Sequence, residues 1–406
     1  MSCTKKLVMR KYYCLVLLIV ISFSCVRDVK KRNLTADTFI FIDRDEINRE
    51  VMEKASTYIE SVQYIPLETN NENIIGNVTK MILSSNYIHI YDSQTNNVYQ
   101  FDYKGKFVRK IGATGNGPNE YVRISTFSVN PKTGDIAIYC EIKQSIIEFT
   151  SEGLPISERK LGFVCSDFIH YEDGYMFYGG RFPNQNIFKD IFPEQYRLVN
   201  IDADNEIVEK YLPTTYKEEL LRTAITSERN CLYYTHDNEL RLFEKSNGLI
   251  YDVNNNMKSI YVVDFYKYTI PVAFFYDPDI GEKDIQRIEK SDCCYLSSFF
   301  ETDNYIYLSY VVNSYNKMIS QCIYLKGSAE AVNIGPVWVN DIENIAMPTI
   351  IASFNNTLIG YYEAYELKTM IDSNTNELTP KIIELGKIVK ESDNPIISII
   401  KLKDVS

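Results

Sequence analysis

The chain has 406 residues, with 43 Lys and Arg against 54 Asp and Glu, and a formal net charge of −11. Hydrophobic side chains make up 45% of it, enough for a large core. The acidic balance argues against nucleic acid or an anionic lipid surface as a partner, because both are bound through a basic face.

Residues 1–24 read as a lipoprotein signal peptide. Lys5, Lys6, Arg10 and Lys11 form a basic start, and the apolar run 15–21 is too short to span a bilayer comfortably. Ser24 stands before Cys25, a small residue before a cysteine as at a bacterial lipoprotein cleavage site, so Cys25 is the expected lipid attachment. The membrane is then met only through that lipid. Loss of 1–24 removes the four basic residues named and no acidic one, taking the charge from −11 to −15. Residues 25–57 are read as a tether and N-terminal extension, polar over 26–38, and removal of 26–50 is expected to be mild by comparison with removal of 58–68.

From residue 58 to 406 the chain reads as one all-β domain, a six-bladed β-propeller. Residues 59–68 form a strand ahead of the first full unit, with Pro66 suited to an edge because it has no N–H to donate. This strand is expected to close the ring by pairing with the region 395–402, so that the N-terminal strand completes the last blade. The first two units are nearly the same stretch written twice, 48 residues apart. Residues 88–91 recur as 136–139, residues 98–101 as 146–149, and Gly105 as Gly153. A third copy is in register at an offset of 100, where Asp102, Gly105 and Phe107 reappear as Asp202, Asn205 and Ile207. Short strands bounded by Gly, Asn, Asp and Ser, repeated at this period, are the pattern of a blade array. Such small sheets bury their faces by stacking radially on their neighbours. Further units open near residues 170, 238, 304 and 357. The surplus length lies in insertions near 181–196, 212–230 and 265–290, with helices expected at 217–222 and 281–289. Long connections in a compact array are usually functional or capping.

Six cysteines remain once the leader and Cys25 are set aside: Cys140, Cys165, Cys231, Cys293, Cys294 and Cys322. None has CxxC spacing, and they read as small buried residues, not as a disulfide framework. The aromatic surplus is 32 Tyr and 20 Phe against one Trp, and most of it is expected between blades.

Residues 105–121, GKFVRKIGATGNGPNEY, look like the linker of NHL-type repeats. More closely they resemble the six-bladed β-propeller lipoproteins of Bacteroides and relatives, together with VQYIPLET at 62–69 and DNPIISIIKL at 393–402. The resemblance implies the fold and a lipid-anchored place in the cell envelope, and little chemistry. The stretch after Cys25 lacks the acidic run that resembles a surface-export signal in some of these proteins, so periplasmic face and cell surface both stay open. NHL relatives include peptide and RNA binders and a metal-dependent lyase, whose paired His ligands this chain lacks.

Several constellations have plainer readings that outweigh them. Gly112, Gly115 and Gly117 suggest a phosphate loop, but no Lys-Ser/Thr follows and Pro118 leads to a strand instead of a helix. They read as a structural linker between blades in which some glycines take positive φ, Glu120 caps backbone N–H groups and Tyr121 packs between blades. His89, His170 and His236 read as structural residues. The acidic stretches at 202–206 and 277–281 are incomplete as calcium loops and read as turns. No metal and no cofactor is expected. The loop 179–186 offers two glycines and Arg181, which could grip a carboxylate or sulfate. Arg181 and the adjacent Tyr178 are the candidate ligand-binding residues. The expected function is an envelope-anchored binding or scaffold propeller for a small molecule, glycan or peptide. The alternative is an enzyme, a lyase or glycoside hydrolase, at the channel mouth. Close carboxylates or His ligands at that mouth would favour the enzyme, and a Tyr- and Asn-lined mouth would favour binding.

Overall fold

In the computed structural model, residues 36–46, 53–179, 196–214, 226, 229–271, 274–275, 279–312, 317–374 and 377–404 are described. Six sheets of antiparallel strands follow one another along the chain. Blade one is Val78–Leu83, Ile88–Asp92, Asn97–Phe101 and Phe107–Ile111, from the axis outward. Blade two is Ile124–Val129, Ile136–Cys140, Ser145–Phe149 and Pro155–Lys160. Blade three is Asp167–Tyr171, Gly174–Tyr178, Tyr196–Ile201 and Ile207–Pro213. Blade four is Leu232–Tyr234, Leu240–Glu244, Leu249–Asp252 and Lys258–Asp264. Blade five is Cys294–Glu301, Tyr305–Val312, Ile319–Leu325 and Glu330–Gly335. Blade six is Thr349–Phe354, Thr357–Tyr362, Ile396–Leu402 and, outermost, Ile59–Pro66.

The ring therefore closes as expected. Ile59–Pro66 pairs antiparallel with Ile396–Leu402, with Val62 opposite Ile400 and Pro66 opposite Ile396. Pro66 sits on the free outer edge, where a missing N–H costs nothing. Gly105 in the blade-one turn abuts the end of this strand: its φ is +81°, and a Cβ there would lie 2.1 Å from the Pro66 carbonyl oxygen. Only glycine fits that joint.

The hydrophobic clusters lie between blades. One joins Tyr91, Val98 and Ile111 of blade one to Phe127, Ile138 and Phe149 of the next. Others fill the junctions of blades two with three, six with one, and five with six, and the largest runs from blade three through four to five. Tyr99, Tyr121, Tyr139, Tyr310, Tyr362 and Trp338 are among the fully buried rings, which accounts for much of the aromatic surplus. None of the six cysteines is in a disulfide, and all but Cys293 are buried.

The repeat seen in the sequence is a repeated turn between third and outer strands. The Asp102 carboxylate accepts from the N–H groups of Lys104 and Lys106, and the Asp202 carboxylate accepts from those of Asp204 and Glu206. The Thr150 hydroxyl takes the same two places, from Glu152 and Leu154. Gly105, Gly153 and Asn205 supply the left-handed residue, with φ of 81°, 76° and 67°. Residues 202–206 are a turn, and the Asp202 carboxylate is spent on its own backbone.

Three features depart from the sequence reading. Thr38–Phe41 is a strand that runs parallel to Lys258–Asp264 and makes a fifth strand of blade four. Ile40 within it and Ile42 just after it are fully buried, so the segment from residue 36 belongs to the fold. From there the chain straps across blade five, where the Asn333 amide donates to the Asp43 carbonyl, and reaches the link to blade six, where Ser56 donates to Asp341. Second, two helices, Ala364–Ser373 and Pro380–Ile388, interrupt blade six between its second and third strands. Third, of the two expected insertion helices, Glu282–Glu289 is present with Gly281 as its N-cap, while 217–222 lies outside the described residues.

Candidate functional site at the channel mouth

Strand order decides where the long connections go. In each blade the head of the inner strand lies beside the tail of the second, as Val78 lies opposite Asp92 and Thr349 opposite Tyr361. Connections from second to third strand start there, and connections from outer strand to the next inner strand end there. Every long connection, 112–123, 179–195, 214–231, 265–293, 336–348 and 363–395, belongs to one of these two kinds. Their described ends lie at one mouth of the axial channel.

The channel beneath that mouth is sealed by charge. Lys80 of blade one reaches past blade two to Asp167 of blade three, with Nζ 2.8 Å from Oδ1. The same Oδ1 accepts from the Thr126 hydroxyl of blade two, and Oδ2 accepts from the backbone N–H groups of Cys231 and Leu232 of blade four. Asp167 is fully buried and Lys80 nearly so. A buried carboxylate with four donors is satisfied, so four blades are tied together at the axis. Above it the exposed Asn230 donates its amide to the Thr79 carbonyl, a link between blades one and four across the ring.

Around the mouth stand short polar side chains. Asn77, Thr79 and Ser93 form a mutually hydrogen-bonded patch at the head of blade one. Arg123 is exposed immediately before the inner strand of blade two, and Arg229 is half-buried just before that of blade four. Glu363 follows the second strand of blade six; burial first, then Glu366 and Asp92, raise its carboxyl above the usual range. Asp92 itself accepts from Gly76 N, Asn77 N, Gln94 N and the Thr95 hydroxyl at 2.8–3.0 Å, so it is committed to its turn.

The residues singled out from sequence fall in three places. Gly112, Gly115, Gly117, Pro118 and Glu120 lie in the connection between blades one and two. There Glu120 turns its carboxylate onto the Gly117 N–H at 2.8 Å, filling with its own charge the cradle an external anion would need. The left-handed residues are Gly112 (φ +70°) and Asn119 (φ +60°), and not Gly115 or Gly117. A Cβ on Gly115 would instead fall 2.0 Å from Glu120 Oε2. Tyr121 is fully buried between the blades and donates to the Ile111 carbonyl. Tyr178 is also fully buried, its hydroxyl 3.4 Å from Glu244 at the junction of blades three and four. That corrects its assignment as a ligand contact: the whole strand Gly174–Tyr178 is inside. Cys25 and Arg181 lie outside the described residues.

The histidines have separate duties. His89 Nδ1 is 3.3 Å from the Ile82 carbonyl, and His170 Nδ1 is 2.9 Å from the Ser128 hydroxyl. Burial pushes their pKa values down to about 4 and about 3. His236 lies in a turn of blade four, away from both. Among the described residues no three His, Cys, Asp or Glu side chains converge to hold a metal ion.

Comparison with known proteins follows the architecture. Residues 39–401 match the family described as Domain of unknown function (DUF4934). No curated protein matches the chain. The crystal structure of a candidate exported protein of Bacteroides fragilis superposes with a TM-score of 0.73 at 21% identity, covering 90% of this chain and all of that one. A member of the DUF4221 family from Bacteroides vulgatus gives a TM-score of 0.48 at 10% identity, over 86% of this chain and 98% of that one. Virginiamycin B lyase from Staphylococcus aureus gives 0.37 at 13% identity, over 74% and 81%.

Proposed function

We propose that this chain, which belongs to the DUF4934 family, is an exported, envelope-anchored propeller that binds a polar ligand, a glycan or a peptide, at the mouth of its channel. The observation that carries the reading is the lining of that mouth: Asn77, Thr79, Ser93 and Asn230 in hydroxyl and amide chemistry, with Arg123 and Arg229 beside them. Rigid strand heads hold most of these groups. A concave site of fixed polar groups is what a small polar ligand requires. The basic and apolar leader, Ser24-Cys25 and the exported character suggested for the Bacteroides fragilis protein support an envelope location with a lipid on Cys25. An enzyme would call for free carboxylates or metal ligands at the mouth. Asp92 and Asp167 are each saturated by four donors, which leaves the half-buried Glu363 as the carboxyl at the mouth that an enzyme would have to use.

The test is a thermal-shift screen of the full mature chain in detergent against glycans and peptides. Ligands that raise the melting temperature should lose the shift on Asn77→Ala or Arg181→Ala, with the unliganded melt changed by under about 0.5 kcal/mol. Hits indifferent to both substitutions would place the site elsewhere. Cys25→Ser should abolish acylation, and unchanged mass and detergent partitioning would refute the anchor.

A further inference from the structure

Arg123 and Arg229 stand out in an acidic molecule. Among the described residues neither guanidinium finds a hydrogen bond or ion pair, although the mature chain carries a large excess of carboxylates. Elsewhere arginines are paired, as Arg159 is with Glu148 and Arg241 with Asp252. Their backbones are nonetheless held in place. The Tyr91 hydroxyl donates to the carbonyl of Ile124, the residue after Arg123, at 2.6 Å. The Asn230 amide, next to Arg229, is fixed to the Thr79 carbonyl at 3.1 Å. Both tethers end on blade one, so two loops from blades two and four lean onto the same side of the mouth.

Resting on the reading of the mouth as a binding site, we propose that Arg123 and Arg229 form its anion subsite, and that the ligand is an acidic saccharide whose carboxylate or sulfate they hold while Asn77, Thr79 and Ser93 take its hydroxyls. The two guanidiniums act on one point: burial raises the pKa of the Tyr91 hydroxyl, Arg123 and Arg229 both pull it back down, and the Asp92 carboxylate pushes it up again. Asp92, held in its turn by four donors, answers only one of the two cations, and an anion between the guanidiniums answers the other. Guanidinium forks match carboxylate and sulfate oxygens. The saccharide is favoured over an acidic peptide by the neighbouring groups. Asn77, Thr79 and Ser93 are short donors and acceptors at fixed spacing, which suits a polyol. The inner strands end their sheets, but the Lys80, Thr126 and Asp167 side chains fill the axis between those of blades one, two and three and leave a peptide no edge to extend there.

The experiment is isothermal titration of the full mature chain in detergent with four probes: trigalacturonate, a heparin-derived tetrasaccharide, maltotriose and pentaglutamate. At least one of the two acidic saccharides should bind, and which one does distinguishes carboxylate from sulfate. Arg123→Gln and Arg229→Gln should each weaken that binding by about tenfold, with unchanged melting temperature and a reduced salt dependence. Maltotriose and pentaglutamate should bind at least tenfold more weakly than the acidic saccharide. Binding of maltotriose that Asn77→Ala weakens and the arginine substitutions do not would sink the anion subsite and leave the mouth standing as the site. Pentaglutamate binding as tightly as the saccharides would overturn the saccharide assignment. Failure of all four probes would overturn it too.

Discussion

The turns far from the mouth and the connections that converge on it are made by different rules. Between first and second strands, and between third and outer strands, no connection exceeds the six residues 130–135. Asp102, Thr150 and Asp202 build three of these turns with the same pair of backbone hydrogen bonds. At the mouth the corresponding spans include a glycine-lined link, a helix at Glu282–Glu289 and a helical pair at Ala364–Ser373 and Pro380–Ile388, with nothing repeated. The turns solve one geometric problem many times, so their chemistry recurs. The mouth has no shared problem to solve, and its residues are free to serve a ligand. The comparison predicts that damage to the frame is read in melting, and damage to the mouth in binding.

Deleting 58–68 should have the largest effect. It strips the outer strand from blade six and takes Val62 and Ile65 out of two interblade clusters. That loss exceeds the roughly 5–15 kcal/mol by which most domains are stable, so cooperative melting should vanish. An unaltered melt would disprove closure by this strand. Deleting 36–50 should cost less but should not be silent, because Ile40 and Ile42 leave the core.

Next comes the axial seal. Asp167→Ala leaves Lys80 buried without its partner and should cost about 3–5 kcal/mol, measured by denaturant unfolding. The double change Asp167→Leu with Lys80→Met should recover only part of it, because the Cys231 and Leu232 N–H groups stay without their acceptor. If Asp167→Ala alone melts like the parent, the pair is not what holds the four inner strands.

Acid should weaken the frame through the two buried histidines. Their folded pKa values, about 4 for His89 and about 3 for His170, lie below the unfolded 6.5. The unfolded state therefore takes up protons first as pH falls. Stability is complete above pH 6.5 and is lost from there downward, by about 3 kcal/mol for His89 once pH reaches about 4, and by more for His170. His89→Gln should flatten that slope, and an unchanged pH profile would count against a neutral buried His89.

The smallest effects set turn against mouth directly. Asp202→Ala removes two backbone hydrogen bonds and should lower stability by about 1 kcal/mol. Tyr365→Ser, on an exposed residue of the helical pair, should stay within about 0.5 kcal/mol. Equal losses for the two would erase the distinction.

What the sequence shows of this molecule follows the same division. Left-handed turn positions and alternating strands are local, so Gly105, Gly153 and Asn205 are enough to mark three blades. Closure was legible because Pro66 marks an edge and 395–402 is an apolar run in want of a partner. The helical pair has its own local signal: Thr379 before Pro380 is an N-cap with proline in the first turn, and Ile382, Leu385 and Val389 follow at helical spacing on the buried side. The Lys80–Asp167 contact joins residues 87 apart and has no local mark at all. Tyr178 misled because a tyrosine beside two glycines looks like a loop residue. The unbroken apolar run through Met176 and Phe177 was the better guide, since a strand covered on both sides by neighbouring blades need not alternate. The mouth residues could have been found by one rule, reading the position just before each inner strand, where Arg123 and Arg229 stand.

The direction of Thr38–Phe41 has a mechanical consequence. Its first residues lie at the outer edge of blade four, where Asp37 pairs with Lys258 beside the short turn 253–257. Whatever precedes residue 36 therefore leaves from the rim of the ring and not from its hub. Were Cys25 the proposed lipid attachment, the eleven residues from it to that point would reach at most about 40 Å when taut. If Cys25 carries the proposed lipid, a ring moored by its rim would hang from the bilayer like a tag on a string, its hub unshadowed by its own anchor and open to whatever diffuses past.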